Sequence, residues 1–61
     1  MTAATEILER MARVVMRDHG ATAAKYATAQ VVQYRKKGLT ASADAWQRIL
    51  STIRRIQADQ S

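Results

Sequence analysis

A chain of 61 residues with no cysteine, a net charge of +5 and a pI near 10.5 makes one domain, residues 1–61, and a domain of that length buries only about 60% of the surface its unfolded form exposes. The lack of cysteine excludes the disulfide scaffold of secreted mini-proteins. No uninterrupted apolar run exceeds three large residues, which excludes a membrane span, and Met1 to Glu6 lack the basic-then-apolar pattern of a secretory signal, so the expected compartment is the cytoplasm.

Gly20 and Gly38 divide the chain into three segments, each with apolar residues at a helical period. The first helix is expected over Ala3 to His19, with Thr2 or Thr5 as its cap and Gly20 as its end. At about 100° per residue, Ala4, Ile7, Leu8, Met11, Ala12, Val14 and Val15 gather on one side and Glu6, Arg10, Arg13 and Arg17 on the other. Glu6 with Arg10 and Glu9 with Arg13 stand in the favourable acid-first i, i+4 order.

The second helix, about Thr22 to Lys37, has an inward stripe of Ala23, Ala24, Ala27, Val31 and Tyr34. Being mostly small, it reads as a thin slab against which two bulkier helices pack. Gly38 supplies the left-handed residue that ends it, and Arg35, Lys36 and Lys37 complement the negative end of its dipole. The third helix, from Thr40 or Ser42 to Ala58, carries Ala43, Trp46, Ile49, Leu50, Ile53 and Ile56 within an arc of about 140° and is the main core donor. Asp44 with Arg48 and Arg55 with Asp59 repeat the acid–base spacing on its far side. The expected fold is all-α, a small three-helix bundle with turns at the two glycines. Since 12 of the apolar residues are alanine, the core is small, and self-association or a protein partner is expected to supply further burial.

The chain is poor in catalytic chemistry. General acid–base work needs titratable groups converging on a pocket, whereas the single histidine, His19, sits beside Asp18 at a helix end, where an imidazole interacts with the dipole. One histidine and no cysteine do not make a transition-metal site within one chain. No enzyme activity, metal, cofactor or small-molecule substrate is expected.

Charge is the compositional feature that points outward. Residues 1–20 carry three acids and three bases, residues 39–61 sum to +1, and residues 21–38 carry Lys25, Arg35, Lys36 and Lys37 with no acid. A local excess of this kind is the footprint of a polyanion binder and also an ordinary solvated face. The candidate polyanion-binding residues are Lys25, Arg35, Lys36, Lys37 and Arg54, with Tyr26 and Tyr34 the nearby aromatics for stacking. The Tyr34–Thr40 segment before a helix invites a helix-turn-helix reading. The residues that would meet base edges, Thr40 to Ala45, nevertheless lack Arg and Asn, and only Gln47 is placed to read a base.

Trp46 reads as the largest core residue, with the rim of an interface as the alternative. Met16 and Val32 lie outside the stripes and would mark a partner surface if neighbours in space. Together with Tyr26 these are the candidate interface residues.

The pattern Gly20, Ala23, Ala27, Gly38, Ala43, then Trp46-Gln47-Arg48-Ile49-Leu50, Ile53 and Ile56-Gln57 resembles a group of small bacterial helical proteins of unknown function. The likeness covers about residues 20 to 57, and its most specific block, W-x-R-I-L-x-x-I, is a packing signature. The chain departs from it at Ala21 and Thr22, where acidic residues are usual, and at Leu39, where an Asp would cap the third helix. The resemblance implies a bacterial helical protein and no substrate, cofactor or catalytic residue. The function expected is a non-enzymatic helical protein–protein interaction module, as adaptor, inhibitor or homo-oligomer. The alternative is a basic accessory protein that binds nucleic-acid phosphates non-specifically through its second helix.

Overall fold

The structure, a computed structural model, describes residues 3–60, with side chains from Thr5 onward; Met1 and Thr2, one of the two expected caps, lie outside the described residues. Helix α1 spans Ala3–His19, a 3-10 turn covers Gly20–Thr22, α2 spans Ala23–Lys36 and α3 spans Thr40–Gln60. About 95% of the described chain is helical and none of it is strand.

The helical content is as expected, but the three-helix bundle with a turn at each glycine is not what forms. From Ala3 to Lys36 no residue leaves helical structure, because α1 passes through the 3-10 turn directly into α2. Only Lys37, Gly38 and Leu39 interrupt the helical path among the described residues. The chain is therefore two helical arms, a long bent one and α3. A straight helix over residues 3–36 would reach about 51 Å at 1.5 Å per residue, yet the longest dimension of the fold is 34 Å. The bend is made at Gly20, whose φ is +57°, with no loop inserted.

The arms do not surround a shared axis. α3 packs most extensively on α2 and next on α1, while α1 and α2 meet least. The thin slab is thus not the centre of the fold; α3 is. Its Ile49, Leu50, Ile53 and Ile56 are buried, Ile49 and Ile53 completely, against Ala12 and Val15 of α1 and Ala23 and Ala27 of α2. The three alanines of this cluster are wholly buried, and their small side chains let the isoleucine ridge of α3 approach closely. Leu8, Met16, Ala24, Tyr26 and Trp46 pack around the rim.

Hydrogen bonds fix the chain at both direction changes. The Thr22 hydroxyl donates to the His19 carbonyl at 2.8 Å; it closes the end of α1 and makes no cap bond to α2. Thr5 lies inside α1 rather than ahead of it. At the end of α2 the Leu39 N–H donates to the Tyr34 carbonyl at 2.9 Å and the Gly38 N–H to the Arg35 carbonyl at 3.0 Å. That pair of bonds is the Schellman closure, and it requires the φ of +77° that Gly38 adopts. The short turn makes α2 and α3 antiparallel neighbours.

The acid–base spacings read along single helices do not close. Glu9 instead receives Arg55 Nη2 of α3 at 2.9 Å, and Asp18 faces its neighbour Arg17 at 3.4 Å. The Glu9–Arg55 pair clamps the outside of the α1–α3 contact, and being partly exposed it contributes roughly 0.2–1 kcal/mol.

Three stability outcomes follow from these contacts. A Cβ at Gly38 would meet nothing within 4 Å, so Gly38→Ala should cost only the left-handed backbone penalty, about 1–2 kcal/mol in chemical denaturation, and Gly38→Val more. Ile53→Ala should cost about 2–5 kcal/mol. Buried Thr52 spends its hydroxyl on the Arg48 carbonyl at 2.9 Å, a carbonyl within the helix ladder, so Thr52→Val should change the unfolding midpoint little or raise it.

Candidate functional site

Three surface features emerge from this packing: a second apolar stripe on α1, the basic side of α2, and an aromatic stack where the elements meet. α1 is apolar on two faces. Leu8, Ala12, Val15 and Met16 turn toward α3 and the core, while Ile7, Met11 and Val14 are 55%, 45% and 41% exposed. Their i, i+4, i+7 spacing puts the three on one line along the helix, about 80–100° around from the buried face. These residues belonged to the inward stripe read from the sequence. The signal that they face out was the width of that stripe: residues 4 to 15 span about 160°, more than a helix needs to cover one neighbour.

The basic residues do not form a single patch. Lys25, Arg35, Lys36, Lys37 and Arg54 are all exposed. Lys25 and Lys36 lie on the outer side of α2 with Val32 between them, about 16 Å apart along the axis. Arg35 and Lys37 diverge from Lys36 by about 100° in opposite directions. The Lys37 ammonium sits 5.9 Å from the centre of the Tyr34 ring, at the limit of a cation–π contact. Arg54 is about 21 Å along α3 from Thr40, toward the end away from the Arg35–Lys37 run.

The candidate interface residues also separate. Met16, Tyr26 and Trp46 are half-buried and pack against the core, whereas Val32 is 47% exposed on the opposite side of α2. Met16 and Val32 therefore do not share a surface. Tyr26 and Trp46 do meet: their ring centroids are 5.7 Å apart and nearly perpendicular. His19 also stacks on Tyr26, at 3.8 Å with an interplanar angle of 16°. His19, Tyr26 and Trp46 thus join the end of α1, the first half of α2 and the first half of α3. His19 was legible only as a helix-end histidine, because its approach to Tyr26 depends on the bend at Gly20. One signal was available, since His19 projects from the same side of α1 as Leu8, Ala12 and Val15.

Among the described residues there is no pocket, no group of three metal-ligating side chains and no helix long and apolar enough to cross a membrane. No family model, curated protein or solved structure matches the chain.

The stack should contribute to the stability of the junction. In a double-mutant cycle, His19→Ala and Tyr26→Leu should couple by about 0.5–1.5 kcal/mol. The emission of Trp46, the only tryptophan, should shift to longer wavelength in Tyr26→Leu and little in His19→Ala, because of the two rings of the stack it is Tyr26 that meets the indole.

Proposed function

We propose that this chain is a non-enzymatic cytoplasmic module that works by protein–protein contact, with the outer face of α1 as the contact surface. The observation that carries this reading is the line Ile7, Met11 and Val14, three large apolar side chains about half exposed on one helix face. Single exposed apolar residues are ordinary, but a contiguous stripe with a charged margin is the form a helix takes when a second surface is meant to cover it. Glu6, Arg10 and Arg17 supply that margin and are all exposed. A cluster at the centre of such a contact carries most of its energy, which gives Met11, the middle residue, the largest expected effect.

A second reading is non-specific contact with nucleic-acid phosphates through α2. It is favoured by the run from residue 21 to 38, which has four basic residues and no acid, and by the exposure of all four. Contacts of this type release counterions and weaken steeply with salt.

Capture from native lysate separates the two. With wild-type chain and Met11→Asp as baits, the contact reading expects capture that survives nuclease and is lost in Met11→Asp. The phosphate reading expects a gel shift at low salt that disappears at moderate salt and is abolished when Arg35, Lys36 and Lys37 are neutralised together. Capture indifferent to Met11→Asp removes α1 as the contact surface.

A further inference from the structure

We propose that the outer stripe of α1 pairs with the same stripe of a second copy, the two helices antiparallel about a two-fold axis close to Met11. The inference rests on the contact reading above and names the occupant of that surface.

The stripe is symmetric about its own middle, and the charges along its margin are not. Ile7 and Val14 are equidistant from a point between Arg10 and Met11, so an antiparallel second copy lays Ile7 of each over Val14 of the other and the two Met11 side chains against one another. In that register residue i lies level with residue 21−i. Glu6 is then level with Val15 of the second copy and lies between its Arg13 and Arg17, each about 3 Å away along the axis. Glu6 and Arg17 project from nearly the same angle on the helix, about 20° apart, so the antiparallel arrangement brings them to the same edge of the contact. Within one copy no ion pair engages Glu6 among the described residues.

Asp18 continues the line of Ile7, Met11 and Val14 at its C-terminal end. In the paired arrangement it lies level with the first turn of the second copy's α1, where the helix dipole favours an acid. A parallel, in-register two-fold pairing would instead set Asp18 on Asp18 and leave Glu6 of one copy and Arg17 of the other on opposite edges of the contact. The acid at one end and the arginines at the other therefore select an antiparallel second copy of this chain. Repulsion remains around Arg10, which comes about 1.5 Å along the axis from its own counterpart and about 3 Å from Arg13 of the second copy. The contact involves one face of one helix, which puts it at the small end of interface sizes, below about 1,200 Å² in total, and makes the dimer weak and dynamic.

Sedimentation equilibrium of the full chain tests this. Between roughly 10 μM and 1 mM, the range suited to a small interface, the mean mass should climb from 6.8 kDa toward twice that value. Met11→Asp should hold the chain at 6.8 kDa with an unchanged helical circular dichroism spectrum, because Met11 is exposed in the single copy. Glu6→Arg should weaken association severalfold, and adding Arg17→Glu should restore it. Arg10→Gln should strengthen association severalfold, while Arg48→Gln, an equal charge change on the exposed side of α3, should not. A mass that stays at 6.8 kDa throughout, association indifferent to Met11→Asp, or no restoration by the charge exchange overturns the pairing. If the chain is monomeric yet captures another protein in a Met11-dependent way, self-pairing fails and the contact reading stands. If neither depends on Met11, both fail.

Discussion

The fold depends on one steric fit, the isoleucine ridge of α3 seated on alanines of α1 and α2. Ile49 and Ile53 are completely enclosed, and so are Ala12, Ala23 and Ala27 around them. The alanines contribute little apolar area themselves. Their role is to bring backbones close enough for the branched side chains of α3 to be surrounded, which is where dispersion and burial are largest. A chain of 61 residues without cysteine has few such contacts to use, and they are concentrated on one helix. α1 and α2 touch each other least because both are arranged around α3.

Much of this was legible in the residues. The three amphipathic segments appear with boundaries close to those read from periodicity, and α3 is the core donor its continuous stripe implies. Gly38 shows its reason in a φ of +77° and the Schellman bonds around it. What the pattern did not reveal is that Gly20 bends a helical arm without ending helical structure. A glycine between two periodic segments fits either a loop or a helical corner, and the choice is made by the Thr22 hydroxyl on the His19 carbonyl together with the fit of Ala23 to the core. Nearest-neighbour charge arithmetic failed for a related reason. Glu9 has a neighbour at i+4, yet it is Arg55, 46 residues away, that reaches it, and side-chain pairs across elements are invisible to spacing along one of them.

The surface features were less legible because a periodic stripe does not record how much of itself will be covered. α1 carries apolar residues over about 160° of its circumference, and α3 takes only the Leu8–Ala12–Val15 side. Ile7, Met11 and Val14 are left outside that contact. The basic residues illustrate the opposite error. Adjacent in sequence, Arg35, Lys36 and Lys37 suggest a concentrated charge, but successive helical positions diverge by about 100°, and Lys37 folds toward Tyr34. A run of charge in a helix is a collar, whereas charges at i and i+11, such as Lys25 and Lys36, share a face.

Placing the unpartnered stripe on α1 has an energetic consequence. This helix is joined to the rest by a handful of small or half-buried side chains, by the Glu9–Arg55 pair and by the His19 stack. Local opening scales with the apolar contact that must be broken, and α1 has less of it than α2 or α3. Anything that binds the outer face of α1 only when the helix is formed stabilises that helix by mass action, and with it the half of the core that Ala12 and Val15 complete. The same alanine-rich packing that keeps the core small would make the order of α1 responsive to any partner that covered Ile7, Met11 and Val14.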